Sequence, residues 1–428
     1  MKIVFFILYN ILLFILLLTA GPFLVLYLLF KQDLRKQWKE RLALNREIKR
    51  GKAPRFWVHA ASMGEGLAAA PLLKKLLSKH GSSPILFTSM TPTGRDLIHK
   101  KFPELQAQLF PLDLLWISLR SLRRWNPTVV ILYESELWPN FLLAARILKI
   151  PVLVFNGSLS ARSYRRFRRF RWIARPLLES VTHFGVQNEE IQRRLIDLGI
   201  PSDRISVTGD TKLDLWVDWV SSAKSVPLHF LGEGRWWVAG SIRTGEPEAI
   251  LQAYSRLREY FPDLRLVLAP RHLDRVSDFV GKVESFGFKP LRRSELNGSN
   301  PIPGIAVLVL DTLGELIQFY HYASVVFVGG TLVSIGGHNL FEPALLGKPV
   351  LFGPYTSEVQ EARDLLLRTG LGKEARGAED LVRGVSQFLL APDQVEQASQ
   401  RTSEEIKKIV GATDRNLRLL DPLLRGIL

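Results

Sequence analysis

The chain of 428 residues contains no cysteine, so disulfides play no part in holding it together, although that absence does not choose a compartment. No Asp-x-Asp triplet occurs, and no His, Asp or Glu grouping has the spacing of a metal site, so a protein-bound divalent cation is not expected. There is no short-period repeat and no low-complexity tail, which sets aside solenoid and disordered-tail architectures. From Ile3 to Phe30 there is no charged residue at all.

That uncharged run is mostly Leu, Ile, Phe and Val and is long enough to cross a bilayer as one helix. A cleaved signal peptide would have a shorter apolar core and a small-residue cleavage site, whereas this run ends directly in Phe30-Lys31 and a basic stretch. Residues 1–30 are therefore expected to form a retained transmembrane anchor. Lys31, Arg35, Lys36, Lys39 and Arg41 follow it, against Lys2 before it, which orients the large C-terminal portion to the cytoplasm.

Positive charge is concentrated. Residues 31–60 hold ten Lys/Arg and three Asp/Glu, residues 120–180 hold twelve and three, and these windows account for the whole net charge of +16. Both lie in the half tied to the membrane, so an anionic lipid surface is the expected partner and nucleic acid is not. Within the second window, Arg162 to Arg175 interleaves arginines with Tyr164, Phe167, Phe170 and Ile173 at three-residue spacing. A helix there either lies among lipid headgroups or packs its aromatics into the core with solvated arginines, and the residues leave both open.

The roughly 400 remaining residues exceed one core and suit two domains. Short apolar strand patterns alternate with helical ones, as in parallel sheets covered by helices. Strands are expected at 56–60, 84–89, 108–111, 128–133, 151–155 and 183–186, and again at 235–240, 264–269, 306–310, 324–328 and 349–352. Helical patterns include 65–78, 137–148, 189–198 and 394–424. The fold class is α/β, with Rossmann-like domains over 31–221 and 222–428 and a boundary near 221–234. The last helical stretch is a candidate to pack back on the first domain. Two such domains imply a cleft at the carboxyl ends of their strands.

The unusual polar segments follow strands. Gly336-Gly337-His338-Asn339-Leu340-Phe341-Glu342-Pro343 reads as a glycine turn opening a helix, offering backbone N–H groups to a phosphate, with Glu342 placed for ribose hydroxyls. Ser62-Met63-Gly64-Glu65 follows the first strand and Glu134-Ser135-Glu136-Leu137-Trp138-Pro139-Asn140 another. Pro270-Arg271-His272 and Asp311-Thr312-Leu313-Gly314-Glu315-Leu316 follow strands of the second series. Glu65 is either a general base for an attacking hydroxyl or a helix N-terminal acid whose pKa the dipole lowers. Glu134 and Glu136 share a face only if their strand continues. Arg271, Ser241, Lys212 and the amides near Gly337–Asn339 are natural partners for a departing phosphate.

Taken together, these segments resemble the 3-deoxy-D-manno-octulosonic acid (Kdo) transferases, from the apolar run to at least Gly353. The resemblance implies two facing Rossmann-like domains of the GT-B type, and transfer of Kdo from CMP-Kdo to a lipid A precursor in lipopolysaccharide synthesis. It implies no cofactor and a bacterial inner-membrane location. Glu65 would be the general base, with Glu134, Glu136 and Arg162 at the acceptor or transition-state site. Lys212, Ser241, Arg271, His272, Gly314, Gly337, His338, Asn339 and Glu342 would bind CMP-Kdo. Two departures stand out: Asn156-Gly157-Ser158-Leu159-Ser160 lacks an arginine of the family pattern, and Gly240-Ser241-Ile242-Arg243 replaces a Gly-Ser-Thr-His run. A lipid glycosyltransferase using a UDP-sugar is the alternative, and a non-catalytic membrane adaptor is a further rival.

Overall fold

The structure, a computed structural model, describes residues 2–30, 32–44, 55–81, 84–222, 234–296 and 306–425. The chain divides into two compact units, Met1–Leu215 with Val410–Leu428, and Trp216–Ile409. Most of the expected boundary segment, residues 223–233, lies outside the described residues, as do 45–54 of the first basic window.

The first unit carries β1 (Phe56–His59), β2 (Ile85–Ser89), β3 (Gln106–Leu109), β4 (Val129–Tyr133), β5 (Val152–Gly157), β6 (His183–Val186) and β7 (Ile205–Val207). The second carries β8 (Arg235–Ile242), β9 (Leu264–Pro270), β10 (Lys289–Arg292), β11 (Ala306–Val309), β12 (Val325–Val328), β13 (Val350–Phe352) and β14 (Gly372–Glu374). Each unit is one seven-stranded sheet, ordered β3-β2-β1-β4-β5-β6-β7 and β10-β11-β9-β8-β12-β13-β14. Every pairing is parallel.

Parallel strands covered on both faces must be apolar on both, which is why β4 (Val-Val-Ile-Leu-Tyr) and β12 (Val-Val-Phe-Val) are continuously buried. In the first sheet the chain moves outward from β1 to β3 and then returns to β1's other side with β4. In the second, β12 joins β8 on the side away from β9. Strand order therefore reverses between β1 and β4 and between β8 and β12, and ligands of open α/β sheets bind at such points. Gly240 marks how tightly the second reversal is packed: a Cβ there would sit 2.0 Å from the Tyr320 hydroxyl.

The apolar run forms one helix, Lys2–Phe30. Among the described residues no helix is long and apolar enough to cross a membrane. Side chains in this helix are described only over 5–21, short of the roughly twenty residues a crossing needs. The expected span is thus not established by the fold. Part of the helix is also committed to the first unit: Phe5 and Phe6 are buried in its core. Tyr9 donates to Asp113 Oδ2 at 2.9 Å and Asn10 Nδ2 to Asn140 Oδ1 at 2.8 Å. Ile11, Leu12, Phe14 and Leu18 face outward.

The arginine-rich segment is two helices, Ala161–Arg169 and Arg171–Leu178, broken at Phe170. Tyr164, Phe167 and Ile173 pack on the core, whereas Phe170 and Trp172 are each 43% exposed. Three of the four residues of the stripe thus follow the core-packing reading, and Phe170 is left at the surface.

The pattern over 394–424 resolves into helices Pro392–Ile409, Ala412–Arg418 and Asp421–Leu424. From Val410 the chain belongs to the first unit. Leu417, Leu420 and Leu424 join the cluster built on Phe56, Leu72, Leu76 and Val129. Buried Asp214 pins this return, accepting from Gly411 N at 2.7 Å and Thr413 N at 2.6 Å. Hydrogen bonds to a charged acceptor contribute about 1.5–3 kcal/mol each, and losing the acceptor strands both N–H groups. Asp214→Ala should therefore destabilise the first unit by about 3 kcal/mol in urea unfolding, and Asp214→Asn by less. Wild-type midpoints for both variants would show that the return is held by leucine packing alone.

Candidate active site

In the first unit the polar residues meet at the reversal between β1 and β4. Leaving β1, Ser62 caps helix Met63–His80, its hydroxyl accepting from Glu65 N at 3.2 Å. The Glu65 carboxylate reaches back, Oε2 accepting from Ala61 N at 2.9 Å and Oε1 from the Ser62 hydroxyl at 3.1 Å. This resembles a capping box with the returning bond one residue earlier, on Ala61 N, and it places Glu65 as a helix N-terminal acid. Its pKa nevertheless moves the other way. Burial pushes it up, the Ala61 N–H works against that, and the charges of Glu134 and Glu136 add to the rise. A carboxylate raised in this way is better matched to accepting a proton near neutrality.

Both partner acids come from the end of β4, but not by the pleat of a continuing strand. The strand stops at Tyr133 and the backbone turns at Glu134, whose φ is +57°. Conformations of this kind in a non-glycine residue cost energy and collect at functional sites. Glu134 Oε1 pairs with Lys212 Nζ at 3.1 Å. Burial works against the Lys212 ammonium, but Glu134, Asp210 and Glu65 outweigh it and hold its pKa above the usual lysine range. Lys212 stands in the first turn of helix Thr211–Ser222, whose start is fixed by Thr211 N donating to Asn156 Oδ1 at 3.0 Å and Lys212 N to Asp210 Oδ1 at 2.8 Å. Asn156 also has a positive φ, +54°, and is fully buried. Lys212, expected as a donor ligand, therefore belongs by its contacts to the acidic cluster.

Glu136 accepts from Trp138 Nε1 at 3.0 Å and lies 3.8 Å from His59 Nε2. His59 is fully buried, which lowers its pKa and keeps the ring neutral. Its Nδ1 lies 3.0 Å from the Thr88 carbonyl oxygen and 3.1 Å from the Thr88 hydroxyl oxygen. Further along the same segment Asn140 is structural: Asn140 N and Phe141 N donate to Asp113, which also holds Tyr9. Sequence reasoning missed this Asp113 latch, because its partners lie far apart in the chain. Arg162 is exposed in the first turn of its helix and takes no part in the described bonds of Glu65, Glu134 or Glu136.

In the second unit the polar residues meet at the reversal between β8 and β12. Two of the amides expected to be free in the glycine turn are taken within the turn. Gly337 N donates to Gly330 O at 2.9 Å and His338 N to Gly329 O at 3.3 Å, and Phe341 N is taken by Asn339 Oδ1 at 3.0 Å. The helix that follows is only Phe341–Leu345, too short to develop much dipole. The expectation of a phosphate on these amides is therefore narrowed: the turn uses the Gly337 and His338 N–H groups to close itself.

A second set of amides is also occupied. Glu246, fully buried, accepts from Arg243 N at 2.8 Å, Gly330 N at 2.9 Å, Thr331 N at 3.1 Å and Leu332 N at 2.9 Å. One carboxylate thus fills the nest after β12 and ties it to the loop after β8. Its signal in the sequence, a glutamate just before Pro247, looks like an ordinary helix-start acid.

Side chains offer an anion further groups. Arg243 Nε donates to His338 Nε2 at 3.1 Å, and Arg243 Nη1 lies 2.6 Å from His272 Nε2. Burial, Arg243, Arg271 and His272 together push His338 down to about 4. Arg271 is exposed at the end of β9. Glu342 is raised by burial, against the Asn339 amide bond at 3.1 Å and the charge of Arg271. Ser241, next to last in β8, has φ +56°. Gly314 lies apart, in the loop after β11, with β9 between that strand and β8. Among the described residues no group of three or more His, Cys, Asp or Glu could hold a metal ion.

Two Rossmann-like α/β domains, each gathering its unusual polar groups at the reversal of a parallel sheet, define the GT-B class of architecture. The fold matches UDP-GlcNAc 2-epimerase from Neisseria meningitidis with a TM-score of 0.60 at 18% identity, over 87% of this chain and 100% of that one. Residues 36–215 match the family model described as 3-deoxy-D-manno-octulosonic-acid transferase (kdotransferase). A 3-deoxy-D-manno-octulosonic acid transferase from Haemophilus influenzae is 31% identical over 86% of this chain and 87% of its own length. A bifunctional glycosyltransferase/methyltransferase from Fusobacterium nucleatum is 30% identical over 77% of this chain, which spans only 52% of that relative. The chain belongs to the Kdo transferase family and is an enzyme of that glycosyltransferase type.

The Glu246 contacts carry a stability prediction. Glu246→Ala would leave four backbone N–H groups without their acceptor in a buried loop, at a cost of about 1–3 kcal/mol for each that stays dry. Thermal unfolding should show a second-unit transition lowered by several degrees. An unchanged transition would mean that water or a neighbouring carbonyl takes over those amides.

Proposed function

We propose that this enzyme transfers Kdo from CMP-Kdo to a lipid A precursor of the lipid IVA type in lipopolysaccharide synthesis, without a metal ion or cofactor. The observation that carries the reading is Glu65: a half-buried carboxylate, raised in pKa, at the strand-order reversal of the first sheet. An acceptor hydroxyl loses its proton to Glu65 as its oxygen forms a bond to Kdo C2. The bond from C2 to the phosphate oxygen breaks, and CMP departs with that electron pair, inverting the centre through an oxocarbenium-like state. The Lys212–Glu134 pair sets the field around the base. Arg271, His338, Ser241 and the half-buried Glu342 supply cationic and hydrogen-bonding groups for the donor's phosphate, sugar acid and ribose.

Membrane attachment belongs to the same proposal. The uncharged run Ile3–Phe30 lies in one helix, and beyond the seat of Phe5, Phe6 and Tyr9 its Leu12, Phe14 and Leu18 are turned outward, which supports attachment to a membrane. The flanking basic residues orient the catalytic portion to the cytoplasmic side of the bacterial inner membrane. Arg165, Arg166, Arg168 and Arg169 are exposed beside Phe170 and Trp172, a composition suited to anionic headgroups and to drawing in a phosphorylated lipid.

Glu65→Gln should lower kcat on the order of a hundredfold or more in a CMP-Kdo and lipid IVA assay, with CMP binding intact and no turnover of UDP-sugars. The acting form is the carboxylate, so the wild-type rate should fall as pH drops through a pKa above the ordinary glutamate value of 4.5. Retention of most wild-type kcat by the Gln variant would remove Glu65 from the chemistry.

The membrane reading is tested in the full chain, because deleting residues 1–30 would also uncover the seat of Phe5, Phe6 and Tyr9. Replacing Arg165, Arg166, Arg168 and Arg169 by Ser removes about 1 kcal/mol of surface attraction per residue. Partition into phosphatidylglycerol vesicles should fall steeply at low ionic strength, and the difference should shrink in high salt. KM for the lipid acceptor should rise more than KM for CMP-Kdo. Equal effects on both, with lowered thermal stability, would reassign the segment to packing.

A further inference from the structure

We propose that Arg243 is itself a donor-binding residue, its guanidinium held by His272 and His338 so that its remaining N–H groups receive the anionic part of the sugar nucleotide. The inference rests on the reading of the second unit as the donor domain and adds to it a residue that the motifs left in doubt. Arg243 stands where the family pattern has histidine.

A guanidinium has donors only and does not deprotonate in proteins. With Arg243 Nε 3.1 Å from His338 Nε2 and Nη1 2.6 Å from His272 Nε2, both imidazole nitrogens must be acceptors. Both rings are therefore neutral, with their protons on Nδ1. The depressed pKa of His338, to about 4, agrees with that state. Neutral imidazoles orient the guanidinium without discharging it. A carboxylate in their place would have neutralised it.

No carboxylate does so. Among the described residues neither Arg243 nor Arg271 takes part in an ion pair. Glu246, the nearby acid, touches Arg243 only through the backbone N–H and is otherwise filled by three amides of the β12 loop. Glu342 lies in the field of Arg271. Two guanidinium groups thus stand after β8 and β9, beside the β8–β12 reversal, with more positive charge than the fold itself answers. The glycine-turn amides, the other possible phosphate ligands, are partly consumed internally. A guanidinium fork matches a phosphate or a carboxylate, and a CMP-linked sugar acid carries both. In this arrangement His272 and His338 are positioning residues.

Equilibrium titration of the full-length enzyme with cytidine, CMP and CMP-Kdo tests this. Arg243→Ala should weaken CMP binding by about ten- to a hundredfold with cytidine unaffected if the phosphate is the partner. If the sugar carboxylate is the partner, CMP should bind normally and CMP-Kdo should be weakened. Arg243→Lys, which keeps the charge without the fork, should recover part of the loss. His338→Gln retains an acceptor and should bind the affected ligand nearly as wild type, whereas His338→Leu should raise KM for the donor with kcat largely kept. Wild-type binding of all three ligands by Arg243→Ala would overturn the inference alone. Failure of the wild-type enzyme to bind either nucleotide would overturn the donor reading and this inference with it. Near-ultraviolet circular dichroism establishes that each variant is folded, and an unfolded Arg243→Ala leaves Arg243→Lys and His338→Leu to decide.

Discussion

Parallel strands can be joined only by crossovers, and that constraint organises everything else in this enzyme. Each crossover returns the chain to the same edge, so all strand ends of one sense emerge together. Where the order of strands reverses, successive crossovers lie on opposite faces and the loops after two adjacent strands diverge. β1 and β4 make one such point and β8 and β12 the other. Glu65, Glu134 and Glu136 belong to the first. Arg243 and His338 belong to the second, with Arg271 and His272 on the neighbouring β9. Chemistry is thus placed by topology, and the residue types then decide which chemistry.

The two sites have opposite charge characters. In the first unit Glu134, Asp210 and Glu65 surround Lys212, and burial, with the charges of Glu134 and Glu136, raises the pKa of Glu65. In the second, one guanidinium, that of Arg243, stands between two imidazoles, and burial with the positive charge of Arg243 and Arg271 lowers the pKa of His338. Each cluster shifts its titrating member toward the neutral form. For a base, that is the protonated acid from which the working carboxylate must be released. For a histidine, it is an acceptor able to hold an arginine in place. Strained backbone accompanies both: Glu134, Asn156 and Ser241 have positive φ without being glycine.

Much of this was legible in the chain and some was not, for identifiable reasons. Central strands announced themselves, because burial on both faces demands uninterrupted apolar runs such as Val129–Tyr133. β7, β10 and β14 were missed; β7 (Ile-Ser-Val) is short and β10 (Lys-Pro-Leu-Arg) polar, and all three are edge strands with little pattern to read. The glycine turn was found, but two of its amides close the turn itself, since a sequence does not say whether an N–H faces a ligand or the Gly329–Gly330 carbonyls across the turn. Lys212 was picked out but grouped with the donor ligands, although its partner is Glu134.

The sequence by itself determined the alternation of strand and helix, the two-domain α/β class, and the strand ends at which Glu65, Glu134, Arg271 and His338 fall. These follow from local rules: apolar period, turn residues and helix caps act over a few positions. Only the tertiary structure decided that Glu246 fills the loop after β12, that Asp113 latches Tyr9 to Asn140, and that Arg243 stands between two imidazoles. Those pairings join residues from about thirty to more than a hundred positions apart in the chain, beyond the reach of any local rule. Proton positions and pKa shifts depend on burial and on neighbours from other elements, so they too exist only once the chain is folded.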